Sequence, residues 1–363
     1  MTLHLYFARR FLTVFLALLA LFFLFVALLD LIEQVRAFED APFSTVLKIT
    51  LLNTPEGLYE MLPLVMILSS ITLCLALARS SELVVARAAG RAGLVSLFGP
   101  LMVALLAGAV TVAVFNPIVA ATSQRYHDLR ELQDSGGMST LSIGSEGLWL
   151  RQGDRRGQTV IHAERSNPNA TLLHDVTFLA YAANSGPVRR IKAETARLAE
   201  GEWVLTNAKV WPLIPGINPE VNAALHDELR LPSTLTQERI RDSFGKPSVV
   251  SIWDLPAFIN QLETAGFSAR RHAVWMQMEL ARPLFLVAMV LLGAAFTMRH
   301  ARSGRTGLAV LGALMLGFGL YYVRNFAQIL GENGQIPATL AAWAPPIASI
   351  FLGLGLILQM EDG

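Results

Sequence analysis

Residues 11–29 of this chain read FLTVFLALLALFFLFVALL, and this run decides the fold class. It contains no charged residue, and a helix of about 20 apolar residues crosses a hydrocarbon core of roughly 30 Å. No small-residue cleavage site follows in the acidic stretch 30–40, so we interpret the run as a retained span and not as a signal peptide. The run predicts an integral membrane protein.

Five further apolar runs without charged residues follow, at residues 61–78, 92–124, 283–298, 306–323 and 333–360. Of the 363 residues, 53% are apolar and 16% are charged, and the mean hydropathy is +0.47. The charged side chains concentrate between the third and fourth runs, where residues 125–282 carry 36 of the 57. We therefore predict three membrane spans on either side of a polar insert.

Lysine and arginine in short loops predict the orientation, because positive residues tend to stay cytoplasmic. One side of the predicted spans collects eight: Arg9, Arg10, Arg79, Arg87, Arg91, Arg299, Arg302 and Arg305. The opposite side holds Arg36, Lys48 and Arg324. We therefore predict that both termini are cytoplasmic and that residues 125–282 are mostly periplasmic.

The polar insert has the pattern of short strands separated by turns. Alternating runs at 147–151, 159–163, 176–181, 190–198 and 203–210 are punctuated by turn residues, and a helical pattern follows over 251–266. Strands at about ten-residue spacing are typical of a sandwich or jelly roll. We predict six transmembrane helices plus an inserted periplasmic all-β, jellyroll-like domain, divided as 1–124, 125–266 and 267–363.

The second cytoplasmic loop predicts a short helix over residues 80–91. Ser80 or Ser81 can cap it, and Glu82 lies in its first turn, where the helix dipole favours an anion. A carboxylate with Arg87 and Arg91 would suit a groove on a cytoplasmic partner. The alternative is a loop helix whose arginines serve only membrane topology.

Two features near the outer membrane edge could bind lipid. Arg36 and Lys48 stand where cations can meet anionic headgroups, although a lone arginine can also simply snorkel to the interface. In the fifth run, Phe318, Tyr321 and Tyr322 precede Arg324 and follow a pair of small residues, Ala313 and Gly317. A tightly packed helix lined by aromatic side chains predicts a lateral gate to a cavity; ordinary packing with an aromatic belt is the alternative.

Several function classes are not expected. The net charge is +1 and no basic stripe interleaves with aromatics, which argues against nucleic acid. The seven histidines form no metal motif, and we predict neither a metal site nor catalytic residues. The single cysteine, Cys74, lies in an apolar run, and no G-x-x-x-x-G-K-[ST] phosphate loop occurs. We also expect no carboxylate inside a span for proton relay.

The order of three spans, a β-rich insert and three more spans resembles the permeases of the lipopolysaccharide exporter, the LptF/LptG (YjgP/YjgQ) family, over essentially the whole chain. The stretches that carry the resemblance are IEQVR at 32–36, RSSELVVARAAG at 79–90, GLW at 147–149 and the entry to span four from Trp275 to Pro283. The coupling loop and the GLW stretch look most like LptG-type members.

The resemblance implies a non-catalytic permease subunit in the inner membrane that extracts lipopolysaccharide and passes it to a periplasmic β-jellyroll bridge. The implied partners are an LptF-type permease in a heterodimer, an LptB-type ATPase dimer and an LptC-type single-span jellyroll protein. This chain would bind no cofactor, since ATP and Mg belong to the ATPase. Glu82 matches the coupling acid and Arg36 a headgroup residue.

Two positions depart from the family pattern. Asp30 and Ala37 stand where some members carry lysine, and a lipid with fewer phosphates is one explanation. From the residues alone, a membrane-anchored periplasmic binding or scaffold protein is the alternative function. Six spans exceed what an anchor requires. An intramembrane lipid enzyme is a third class, but no nucleophile and base stand together.

Overall fold

The computed structural model describes residues 2–37, 42–82, 85, 88, 92–135, 141–144, 147–154, 157–167, 171–182, 186–199, 201–213, 216, 218–233, 235, 246–264, 268–298 and 306–361. The chain forms two compact units, which we call the membrane unit and the β unit. The membrane unit comprises Met1–Leu129, Ser248–Trp253 and Arg270–Gly363, and the β unit comprises Arg130–Pro247 and Asp254–Ala269.

Six described helices or helical runs are long and apolar enough to cross a membrane, as predicted. Span one is α1 (Thr2–Ala37) and span two is α2 (Phe43–Arg79). Span three begins as α3 (Gly93–Val110), passes through a π-helical turn (Thr111–Phe115) and continues as α4 (Asn116–Ser135). After a 3-10 turn (Pro247–Val249) and α5 (Leu255–Thr264), spans four to six are α6 (Arg270–Thr297), α7 (Thr306–Glu332) and α8 (Ala338–Glu361).

The helices extend beyond the charge-free runs that predicted them. Span three continues to Ser135, past the boundary expected at residue 124, and span four begins at Arg270 instead of 283. Charged residues end a charge-free run, but they do not end a helix where they reach water or pair with one another. The unit boundaries accordingly lie at residues 129 and 269, and 248–253 joins the membrane unit.

Spans two and four form the centre of the membrane unit. The spans differ in the buried share of their most apolar 18-residue stretch. This share is 72% in span four and 61% in span two, but only 11% in spans one and five. The core contains Phe7 and Phe11 of span one, Met66 of span two, and Phe285 and Leu286 of span four. Spans one and five therefore keep broad apolar faces for lipid or for another protein.

Small residues let spans two and four approach closely. A Cβ atom on Gly293 would lie 2.8 Å from the Cβ atom of Ser70 and 2.9 Å from the carbonyl oxygen of Ile67. The Ser70 hydroxyl donates a 2.7 Å hydrogen bond to the carbonyl of Val290. Small residues and hydroxyl bonds of this kind stabilise helix pairs in membranes, where lipid supplies no hydrophobic driving force between helices.

The β unit contains one seven-stranded antiparallel sheet in the part of the chain described. Its strands are β1 (Leu141–Gly144), β2 (Gly147–Asp154), β3 (Gly157–Ser166), β4 (Leu172–Ala182), β5 (Pro187–Ala199), β6 (Glu202–Pro212) and β7 (Ala224–Pro232). All five predicted strands are present, which confirms the inserted β domain.

The sheet order follows the sequence order from β1 to β7, which is the order of a meander. Greek-key connections, which define a jelly roll, are not found among the described strands. Alternate residues point into one core, for example Leu148 and Leu150 on β2 opposite Ile161 and Ala163 on β3. Leu262 of α5 belongs to the same core, so the predicted helix contributes an apolar face.

Candidate functional site

The predicted coupling acid, Glu82, is held by an ion pair to span one. An Arg10 Nη1 atom lies 2.7 Å from Glu82 Oε1, and the two side chains are each 31% exposed. The Ser80 hydroxyl donates a 2.7 Å hydrogen bond to the same oxygen. The amide of Val85 bonds the carbonyl of Ser81 at 3.1 Å, which is a first helical bond in this loop. Arg87 and Arg91 lie outside the described residues.

The local charges keep Glu82 ionised. Partial burial acts to raise the pKa of its carboxyl group, but the hydrogen bonds from Ser80 and Arg10 outweigh burial and hold this pKa below its usual value. A carboxyl group with a lowered pKa loses its partner only when the pH falls through that pKa. The Arg10–Glu82 pair therefore persists at neutral pH.

The predicted headgroup residue Lys48 lines an open, largely apolar concavity of about 520 Å³. Arg125, from span three, lines the same concavity, together with Leu51, Leu52 and Leu129. Two cations and three leucine side chains in one concavity suit the boundary between an anionic headgroup and its acyl chains. Arg36 is exposed in the last turn of span one, and it is not among the residues that line this concavity.

The predicted gate residues on span five lie on two faces. Tyr322 is 69% exposed, so its ring lies on the outer side of the helix, whereas the 44% exposed Phe318 lies at the border of the inner face. Gly317 is buried, and a Cβ atom there would lie 2.6 Å from Ile67 of span two. Gly317, Phe318 and Tyr321 line an apolar cavity of about 130 Å³ against spans two and four. Span five thus packs against its neighbours around a cavity.

A buried ion pair inside span four corrects our expectation that no carboxylate lies within a span. Glu279 is wholly buried, and its two oxygens receive hydrogen bonds of 2.5 and 3.0 Å from Arg282. The Tyr59 hydroxyl of span two donates to the same carboxylate, and the Arg282 guanidinium lies 4.0 Å from the Tyr59 ring centroid. The carboxylate is tolerated because it is paired and hydrogen-bonded.

Span three joins this pair through its π-helical turn. The Asn116 side chain follows that turn, donates to the Tyr59 hydroxyl at 3.4 Å and accepts the Ile252 amide at 2.9 Å. The Trp253 indole donates to the Ala113 carbonyl inside the π-helical turn at 3.1 Å. Such turns often mark functional positions. This polar cluster ties spans two, three and four to residues 252 and 253.

Arg324 lies inside span five and not in the outer loop with which its charge was counted. It is 6% exposed, and its guanidinium stands 5.3 Å from the ring centroid of Phe285. Within the described structure, its Nη2 atom is buried without a hydrogen-bond partner. This burial was not predictable from the pattern, because an arginine directly after a charge-free run is expected to mark the end of a span.

Sequence reasoning missed Tyr59, Asn116, Glu279 and Arg282. One signal was present, since Glu279 and Arg282 stand at i,i+3 spacing, at which side chains of a helix meet. Across the residues described, no group of three or more His, Cys, Asp or Glu side chains is arranged to hold a metal ion.

Comparison with known proteins agrees with this architecture. Residues 5–359 match the family model described as "Lipopolysaccharide export system permease LptF/LptG". The chain is 24% identical over 348 residues to the lipopolysaccharide export system permease protein LptG of Haemophilus influenzae, covering 93% of this chain and 92% of that protein. It is 25% identical to LptG of Escherichia coli K12 over 309 residues, or 84% and 80% of the two chains. The chain therefore belongs to the LptF/LptG family and is an LptG-type lipopolysaccharide export permease.

Proposed function

We propose that this permease works as one half of an ATP-driven heterodimer in the inner membrane. An LptF-type permease supplies the other half, an LptB-type ATPase dimer hydrolyses ATP with Mg, and an LptC-type protein continues the periplasmic path. This chain has no G-x-x-x-x-G-K-[ST] phosphate loop, so in this proposal the nucleotide chemistry belongs to the ATPase subunit. The observation that carries the proposal is the family match over residues 5–359.

In this proposal, both termini and the Glu82 loop face the cytoplasm, and most of residues 125–282 are periplasmic. Eight positive residues on one side of the spans, against Arg36 and Lys48 on the other, support that orientation. The Glu82 loop joins spans two and three. An ATPase docked on this loop, with Arg87 and Arg91 completing the contact surface, acts directly on the ends of both spans.

The Arg10–Glu82 pair gives the loop a connection to span one as well. The two residues are 72 positions apart in sequence, yet their side chains lie 2.7 Å apart. Any ATPase contact that moves Glu82 or competes for its carboxylate pulls on span one or releases it. The cytoplasmic end of span one is anchored by Phe7 and Phe11 in the core, whereas its most apolar stretch is only 11% buried within the chain.

Lipopolysaccharide binds, in this proposal, at the opposite end of the same helices. Arg36 on span one and the Lys48–Arg125 concavity supply cations for the headgroup, and Leu51 and Leu129 contact the start of the acyl chains. Phe318, Tyr321, Tyr322 and Arg324 of span five form the lateral gate. The lipid then passes to the β unit.

The β unit offers edges through which a periplasmic bridge can continue. In the described sheet, β1 and β7 are the edge strands, and most residues of β7 are exposed. An unpaired edge is a ready docking site for another strand. We propose that one of these edges pairs with a partner β domain.

Mild-detergent affinity purification of the tagged chain from its native membrane tests the proposed assembly. We expect mass spectrometry to identify a second six-span permease, an ATPase and lipopolysaccharide in the same sample. A Cys74→Ser variant, tagged in the same way, serves as the matched control, since its wholly internal change leaves every proposed contact surface intact.

Recovery of the chain with periplasmic proteins alone would contradict the proposed exporter and favour the scaffold function. The structure gives the scaffold function no particular support. A scaffold needs anchors, whereas these spans contain a buried ion pair, an apolar cavity and an ion pair to the coupling loop.

A further inference from the structure

Arg324 is a buried cation on the face of span five that packs against span four. It is 6% exposed, and the surrounding groups include the ring of Phe285 at 5.3 Å. Its Nη2 atom has no hydrogen-bond partner among the residues that the structure describes. An arginine carries five N–H donors and stays charged. A buried N–H group that has no acceptor therefore indicates that a hydrogen-bonding ligand is missing.

The nearby carboxylate does not neutralise Arg324. Both oxygens of Glu279 are taken by Arg282 in a two-bonded fork, and the Tyr59 hydroxyl adds a third bond. Among these described side chains, one negative and two positive charges leave a surplus of +1. An uncompensated charge inside a membrane protein is costly, and in transporters such charges commonly mark a substrate pathway.

We propose that the Arg324 guanidinium forms an oxyanion-binding site on span five and that its ligand is a phosphate group. The planar guanidinium fork matches two oxygens of a phosphate, and bonds between two charged groups are roughly twice as strong as neutral ones. The inference rests on the proposed function, in which a phosphate-bearing lipid meets span five. The phosphate then belongs to the lipid headgroup, with free phosphate as the other source.

Occupancy of the site and the position of span five are linked. Because Arg324 is buried, a phosphate reaches it only when span five moves away from span four. The most apolar stretch of span five is only 11% buried, and the cavity of about 130 Å³, which Glu60 of span two also lines, lies one turn away at Tyr321 and leaves room for such a shift. A ligand that neutralises Arg324 selects the helix position in which it binds.

Affinity measurements on the full-length chain, in the complex in which it co-purifies, test the site. The ligands are lipopolysaccharide, the same lipopolysaccharide after phosphatase treatment, and inorganic phosphate, each added to phosphatidylcholine nanodiscs. We expect the wild type to bind the phosphorylated lipid at least tenfold more tightly than the dephosphorylated one, a difference of about 1.4 kcal/mol.

Arg324→Met keeps the apolar stem and removes the charge, so most of the tenfold preference should disappear. Arg324→Lys keeps a charge without the fork and should retain part of it. Arg9→Met, an exposed arginine on span one, is the matched control and should retain all of it. Protection by inorganic phosphate alone, seen as a raised Tm of the wild type but not of Arg324→Met, would assign the site to free phosphate.

An equal preference in wild type and Arg324→Met would overturn the oxyanion site while leaving the proposed export function in place. Failure of the wild type to bind either lipid would overturn both. If Arg324→Met does not fold, the binding preferences of the wild type and of Arg324→Lys still test the site. Equal binding of phosphorylated and dephosphorylated lipid by the wild type contradicts the site without any variant.

Discussion

Pairing of charges at single residues determines which polar groups the membrane unit can bury. Glu279 is completely buried because Arg282 and Tyr59 satisfy its oxygens, and Asn116 in turn bonds the Tyr59 hydroxyl. Burial of such a pair does not by itself stabilise a protein relative to an apolar pair. Removal of one partner is strongly destabilising, since it leaves a buried charge alone.

We therefore expect Glu279→Gln to lower the stability of the membrane unit by roughly 3–5 kcal/mol. The substitution leaves Arg282 and Arg324 as two uncompensated cations at the same place. The double variant Glu279→Leu with Arg282→Met removes the buried pair and should recover much of the loss. Thermal unfolding in detergent, followed by the fluorescence of the six tryptophans, measures both effects.

A double variant as unstable as Glu279→Gln would show that the individual hydrogen bonds, and not the unpaired charge, determine stability here. Arg189→Met, an exposed arginine on β5, provides a matched control because it changes an arginine outside the membrane unit. Its Tm should equal that of the wild type.

The charge contacts at this scale were only partly predictable. Glu82, Lys48 and Arg36 were identified because they stand in loops or at helix ends, where a charge in an apolar sequence is conspicuous. The residues beside them were not identified, because Arg10 is 72 positions from Glu82, and Arg125, which lines the same concavity as Lys48, belongs to another span. Such pairs depend on how helices pack, which periodicity does not determine.

Among the elements, the contact between spans two and four depends on small residues. Gly293 faces the backbone of Ile67 and the side chain of Ser70, so that any Cβ atom there would clash with groups that cannot swing away. In span five, Gly319 faces open space, and no heavy atom lies within 4 Å of its Cβ position. Gly293 is therefore required for the close approach of two spans, whereas Gly319 is not.

Gly293→Ala should destabilise the membrane unit by about 1–3 kcal/mol, since overpacking forces the two spans apart. Gly319→Ala is the matched control, and it should be neutral or slightly stabilising because alanine is the better helix former. The Tm of each purified variant in the same detergent measures the difference. Equal Tm values for both variants would contradict the close approach of spans two and four.

The elements themselves were predictable where one physical signal dominated. Charge-free runs predicted six spans, and alternation predicted five strands that are all present. Helix ends were not predictable from charge, since span four begins thirteen residues before its charge-free run and includes Glu279. The meander order of the strands depends on pairing between distant residues, which short patterns do not reveal.

For the whole molecule, the spans divide into a central and a peripheral set. Spans two and four are the most buried, and the polar cluster joins both of them to span three. Spans one and five bury the smallest share of their apolar windows. We infer that spans two to four form a frame, while spans one and five respond to the coupling loop and to the lipid.

The connection from the coupling loop to span one is the central claim of this account, and Arg10 is the residue that tests it. A partly exposed ion pair contributes little to the free energy of unfolding, typically below about 1 kcal/mol. The Arg10→Gln variant should therefore fold normally. Arg9→Gln is the matched control, since Arg9 is the exposed neighbour on the same helix. The measurement is lipopolysaccharide released per ATP hydrolysed by the co-purified complex in proteoliposomes.

We predict that Arg10→Gln lowers this ratio at least fivefold while ATP hydrolysis continues, and that Arg9→Gln leaves it unchanged. Continued hydrolysis with lost release means that the ATPase still works but no longer moves span one. A ratio for Arg10→Gln equal to that of wild type would contradict the claim that Glu82 drives span one through Arg10.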